Sequence, residues 1–146
     1  MTVLDAFAVL AFLKDEPAAG EVAELLRAVP RPALSALGVA EVLDHLVRLV
    51  GLDEEEAVLD LAQLGLAETH AVDADLASSA GRLRARHHHR RDRAVSLADC
   101  VAAEVARRER LPLATSDPHL LDMCHAEGIA YVALPDARGT TWAPSP

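Results

Sequence analysis

Short β-prone runs alternate with helix-period segments along nearly the whole chain, and this alternation constrains the fold more than any other feature. Residues 2–4 form an apolar run that enters Asp5, and an apolar helix follows to about Lys14. Pro17 opens a second helix, with Val22, Leu25 and Leu26 on one face, which ends near Pro30. Residues 33–35 read as a second strand. Apolar residues at 39, 42, 43, 46, 47 and 50 then form a helical stripe, ended by Gly51. Asp53 begins a short helix whose first turn carries Glu54, Glu55 and Glu56, where the helix dipole favours acids. Residues 66–72 read as a third strand, and Asp73 starts a helix that runs into an arginine- and histidine-rich stretch. An alanine-rich helix over 96–110 precedes a strand at 111–115. A helix at 118–127 closed by Gly128 then leads to a last strand at 129–134. Strands separated by helices require crossovers, and hence a parallel sheet. The expectation is an α/β chain: a three-layer α/β/α sandwich around a central parallel sheet of four to five strands. It has one domain over 1–134 and an irregular tail over 135–146.

Composition narrows the function classes. Half of the 146 residues are apolar but only Phe7, Phe12, Tyr131 and Trp142 are aromatic, so aliphatic side chains and alanine must fill the core. There is no apolar run of membrane-spanning length and no signal-peptide pattern at the start, so a soluble, cytoplasmic protein is expected. Cys100 and Cys124 lack metal-site spacing and read as small buried residues. The net charge of −9 argues against adhesion to nucleic acid through the whole surface. The charge is unevenly spread, however: residues 82–93 hold six arginines, three histidines and a single acid, Asp92. That basic island reads either as a solvated helix end or as a contact for phosphates.

Four acids fall where strands end and helices begin: Asp5, Glu41, Asp99 and Asp117. In open parallel sheets ligands bind beyond the carboxyl ends of the strands, where such side chains converge. Each acid also has a structural reading. Asp5 is a helix N-cap, Asp117 before Pro118 is another, and Ser96 with Asp99 forms a variant capping box. Periodicity sets Glu41 in the first turn of the stripe helix, on the solvated side with Asp44, His45 and Arg48. His119 and Asp122 read as surface residues, and His87–His88–His89 as no metal site, because neighbours on a helix point about 100° apart.

The stretches TVLDAFAVLAFLKDEP, SALGVAEVLDHL, SLADCVAAEVARRERLPLATSDPHL and IAYVAL resemble, in this order, PIN-domain proteins, and more narrowly the VapC-type toxins of bacterial toxin–antitoxin pairs. The resemblance spans roughly residues 2–134 and is weakest across 52–95. It implies the same α/β/α fold and makes Asp5, Glu41, Asp99 and Asp117 an acidic metal site. Thr115 matches the small hydroxyl residue two positions before the last acid, and Ser35 a hydroxyl at the end of the second strand. The implied activity is an endoribonuclease dependent on Mg²⁺, with Mn²⁺ as substitute, both of which suit oxygen ligands. Asp5 and Asp99 would be the closest ligands, with Glu41 and Asp117 holding waters or a second ion and Thr115 positioning phosphate or water. Arg82, Arg84, Arg86, Arg90, Arg91 and Arg93 would hold the flanking RNA. A VapB-like antitoxin and a homodimer are implied as well.

One residue departs from the family pattern. Phe7 stands where a small or hydroxyl side chain is usual, and it either turns into the core or faces the cleft. A PIN-like module that only binds a partner is the alternative function. A receiver-type phosphoacceptor would need a second acid beside Asp5 and a late lysine, whereas the single lysine here is Lys14. A haloacid-dehalogenase-like phosphatase would need an aspartate in place of Phe7, and a dinucleotide site would need a glycine-rich turn.

Overall fold

The computed structural model describes residues 1–69 and 71–146. Five short parallel strands, β1 (Val3–Leu4), β2 (Ala33–Leu34), β3 (Ala67–Glu68), β4 (Leu113–Thr115) and β5 (Tyr131–Ala133), form one sheet in the order β3-β2-β1-β4-β5. Val3 lies opposite Ala33 on one side and Leu113 on the other, and Thr115 pairs with Ala133. The helices are α1 (Ala6–Leu13), α2 (Ala19–Arg27), α3 (Ala36–Asp44), α4 (Glu54–Gln63), α5 (Ala74–His87), α6 (Leu97–Glu109) and α7 (Pro118–Glu127).

Alternation along the strands splits the core into two. Val3 and Leu113 face an apolar layer with Leu76, Leu83, Val101, Leu120 and Met123 from α5, α6 and α7. Leu4 and Ala114 face the other, with Val9, Val22, Val42 and Leu61 from α1–α4. This is the expected three-layer sandwich. Cys100 and Cys124 are free and buried in the first layer, which pushes both thiols up to about 12.

Several boundaries differ from expectation, each for a local reason. Ser35 does not extend β2; its hydroxyl accepts the Gly38 N–H at 3.1 Å and N-caps α3. The helix therefore starts three residues before the apolar stripe, which moves Glu41 from the first turn into the second. Gly38 permits the close approach this needs, since a Cβ there would sit 2.5 Å from Leu34 Cδ1. From His45 to Val50 the stripe continues as a π-helical turn that ends in Gly51 at φ 85°. The strand expected over 66–72 is only Ala67–Glu68, and residue 70 of that span lies outside the described residues. The tail folds back through a Pro135–Thr141 bridge, and Trp142 Nε1 donates to Asp122 Oδ1 at 3.0 Å. No helix among the described residues is long and apolar enough to cross a membrane.

Candidate active site

Neighbouring strands β1 and β4 deliver the centre of the site. Asp5 follows β1 and caps α1, its Oδ1 accepting the Ala8 N–H at 2.7 Å. Its Oδ2 accepts the hydroxyl proton of Thr115, the last residue of β4, across 110 positions of sequence. Thr115 Oγ1 in turn accepts the Asp117 N–H at 3.0 Å, and Asp117 Oδ1 accepts the His119 N–H at 2.8 Å as the cap of α7. Thr115 is fully buried. Its one proton is committed to Asp5, so the hydroxyl orients two acids.

Asp99 enters from the third residue of α6. Its Oδ2 accepts the Ser96 N–H at 2.7 Å, and its own N–H donates to Ser96 Oγ at 3.0 Å, so the capping box read from sequence is real. The same carboxylate also belongs to the acidic group. Burial pushes the Asp5 pKa up to about 7 against the opposing bonds from Thr115 and Ala8, and the charges of Asp99 and Asp117 add to the rise. Asp99 is raised as well, by burial first and by Asp117 next. Glu41 is half-buried and raised by its burial and by Asp99. Periodicity placed Glu41 on the solvated side of its helix; packing of α3 against α1, α4 and α6 covers more than the apolar stripe and draws Glu41 inward.

All four expected acids therefore sense one another, directly or through Asp99. Among the described residues, no three His, Cys, Asp or Glu side chains stand close enough to grip one ion jointly. The donor set nevertheless suits a hard divalent cation, which one or two carboxylates hold directly while the remaining ligands are waters. The buried, mutually repelling acids would be relieved by such a charge.

A family profile described as the PIN domain matches residues 2–126. The chain belongs to the PIN domain family. No curated protein gives a significant match. Several solved structures share the fold, among them the following three. VapBC2 from Rickettsia felis bound to a DNA fragment from their promoter aligns with TM-score 0.65 at 16% identity, covering 91% of this chain and 98% of that one. FitAcB from Neisseria gonorrhoeae aligns with TM-score 0.61 at 19% identity, covering 90% and 96%. A toxin–antitoxin complex from Klebsiella pneumoniae aligns with TM-score 0.60 at 18% identity, covering 80% and 87%.

Outside the acids, this PIN domain divides the arginine island in two. Arg84 Nε donates to the Val95 carbonyl at 2.9 Å, Arg86 pairs with Glu127, and Arg93 donates to His87 Nδ1 at 2.7 Å. These three hold the fold together. Arg82, Arg90 and Arg91 are exposed, with no ion pair or side-chain hydrogen bond among the described residues. The three histidines part where α5 ends at His87: His87 meets Glu127, His88 the Val95 carbonyl, and His89 Asp92.

Two residues near the acids acquire meaning only in the structure. His119, read as a surface residue, is half-buried, and its Nδ1 is buried without a partner among the described residues. No sequence signal marks it beyond its place two residues after a cap. Phe7 resolves its open alternative toward solvent: it is 48% exposed and stands edge-to-face with His45.

Proposed function

We propose that this PIN domain is the toxin of a type II toxin–antitoxin pair and acts as a Mg²⁺- or Mn²⁺-dependent endoribonuclease in the cytoplasm. The carrying observation is electrostatic. Asp5, Asp99 and Asp117 come from three separate elements, and burial, with the charges of the other two added to it, raises the pKa of Asp5. Structures that need only helix caps do not gather three carboxylates where each destabilises the next.

A divalent ion at this site would supply a polarised phosphate and an acidified water. Asp5 and Asp99 are assigned to hold it, and Glu41 and Asp117 to accept hydrogen bonds from its waters or to hold a second ion. Thr115 keeps Asp5 and Asp117 in register. Exposed Arg82, Arg90 and Arg91 are assigned to the flanking phosphates, which an acidic body would otherwise repel. A VapB-like antitoxin, supported by the toxin–antitoxin complexes among the structures of the same fold, and a homodimer complete the reading.

The test is cleavage of single-stranded RNA with Mg²⁺ or Mn²⁺. Activity in the parent, lost in Asp5→Asn and in Asp99→Asn, is the expected result; activity retained in either variant would sink the assignment. The exposed Phe7, two residues from Asp5, favours one second reading, a PIN-like module that binds a partner without catalysis. It predicts no heat of Mn²⁺ binding in calorimetry.

A further inference from the structure

Phe7 is the large apolar side chain of α1 that the fold leaves in solvent. Its neighbours Ala6, Ala8, Val9, Leu10 and Ala11 are all buried, whereas Phe7 is 48% exposed at the second position of the helix, two residues from Asp5. The ring contributes little to the core, since half of it stays wet. His45 meets it with centroids 6.5 Å apart and planes at 81°. A perpendicular pair leaves ring faces that neither partner covers. Lys14, the single lysine of the chain, places Nζ 3.3 Å from His45 Nε2 and 3.1 Å from Glu16 Oε1. A lysine only donates, so His45 accepts at Nε2 and its ring is neutral in this contact.

The location ties this group to the acids. His45 lies four residues after Glu41 where α3 passes into its π-helical turn, so the two share one side of the helix. Asp5 and Phe7 open α1, which packs against α3. Phe7 thus stands at the end of α1 that Asp5 caps and His45 one turn past Glu41 on α3, so the aromatic pair joins two packed helices that each carry an expected acid, with an ammonium group beside it. An aromatic face next to a cation is the arrangement that holds a nucleotide of a single strand: the base stacks and the phosphate meets the charge. An apolar peptide anchor has no use for the lysine.

We propose that Phe7, His45 and Lys14 form a nucleotide subsite that holds one base and phosphate of single-stranded RNA beside the scissile bond. The subsite rests on the nuclease reading above.

The experiment uses the full chain carrying Asp99→Asn, so that RNA survives, and compares a short single-stranded RNA with an abasic ribose-phosphate oligomer of equal length by fluorescence anisotropy. Phe7→Ala is expected to weaken RNA binding about tenfold while leaving the abasic oligomer within about twofold. Phe7→Tyr should keep the parent affinity, and Lys14→Gln should weaken both oligomers. In a Trp142→Phe background, Phe7→Trp makes residue 7 the sole tryptophan, and its emission should quench with RNA but not with the abasic strand. Equal affinity of Phe7→Ala and its parent for RNA would overturn the subsite. So would equal losses for both oligomers, or a position-7 fluorescence change that follows protein concentration alone, which would give the ring to a protein partner. Cleavage by the parent chain with Mn²⁺, measured in parallel, judges the nuclease reading separately from the subsite.

Discussion

Thr115 commits its single proton to Asp5 and its lone pair to the Asp117 N–H, so one buried hydroxyl sets the relation between two acids. Thr115→Val keeps the volume and removes both bonds. Affinity for Mn²⁺ should fall about tenfold, as is usual when a partner that orients a ligand is lost, and calorimetry reads this directly. Asp5 itself carries a stability signature. Its pKa of about 7 lies far above the ordinary 3.8, so between these values the folded chain binds a proton that the unfolded chain does not. The sign follows: metal-free stability falls as pH rises from about 4 to 7, by on the order of 4 kcal/mol. Thermal melts should show this decline in the parent and a flatter profile in Asp5→Asn, since asparagine caps a helix as well as aspartate does. Mn²⁺ should raise the parent Tm more at pH 8 than at pH 6. At this scale the sequence was legible for what each acid caps. It was silent on what each acid senses, because burial and charge coupling depend on distance through space.

The helices meet in a charge network that no periodicity announces. Glu127, the last residue of α7, accepts from Arg107 of α6 at 2.8 Å and also contacts Arg86 and His87 at the end of α5, while Arg93 holds the far side of His87. The Arg107 bond, with those from His87 and Arg86, holds the Glu127 carboxyl down to about 2, against an ordinary 4.5. A depressed carboxylate stabilises the fold above its unfolded pKa, and the contribution is lost as pH falls from about 4.5 toward 2. Glu127→Gln should cost about 2 kcal/mol at pH 7 in urea unfolding and remove that part of the acid sensitivity. The sequence grouped six arginines into one island because it sees proximity along the chain. Tertiary contacts retain Arg84, Arg86 and Arg93 for the scaffold. The start of α3 shows the same division: the apolar stripe begins at residue 39, but the Ser35 cap begins the helix at Ala36, and packing of α3 against its neighbours brings Glu41 under the influence of Asp99.

Over the whole molecule, an acidic body presents Arg82, Arg90 and Arg91, exposed and without an ion pair among the described residues, on the α5–α6 connection and its approach. Replacing Arg82, Arg90 and Arg91 together by glutamine should weaken RNA binding in the Asp99→Asn background. It should also reduce the slope of log affinity against log salt by about 2, since each lost phosphate contact on a single strand removes roughly 0.7. An unchanged slope would return these arginines to ordinary solvation. The alternation of apolar runs and helix periods determined a parallel α/β sandwich, because parallel strands cannot pair without crossovers and each helix must bury its stripe. Composition determined a core of aliphatic residues, and local capping chemistry determined where most helices start. The order β3-β2-β1-β4-β5 was decided only in three dimensions. That order seats β1 beside β4, joins Asp5 to Thr115, and brings acids from separate helix starts into one buried field. The physical reason is one of range: caps and periods act over a few residues, whereas desolvation and charge repulsion act between groups that only the folded chain brings together.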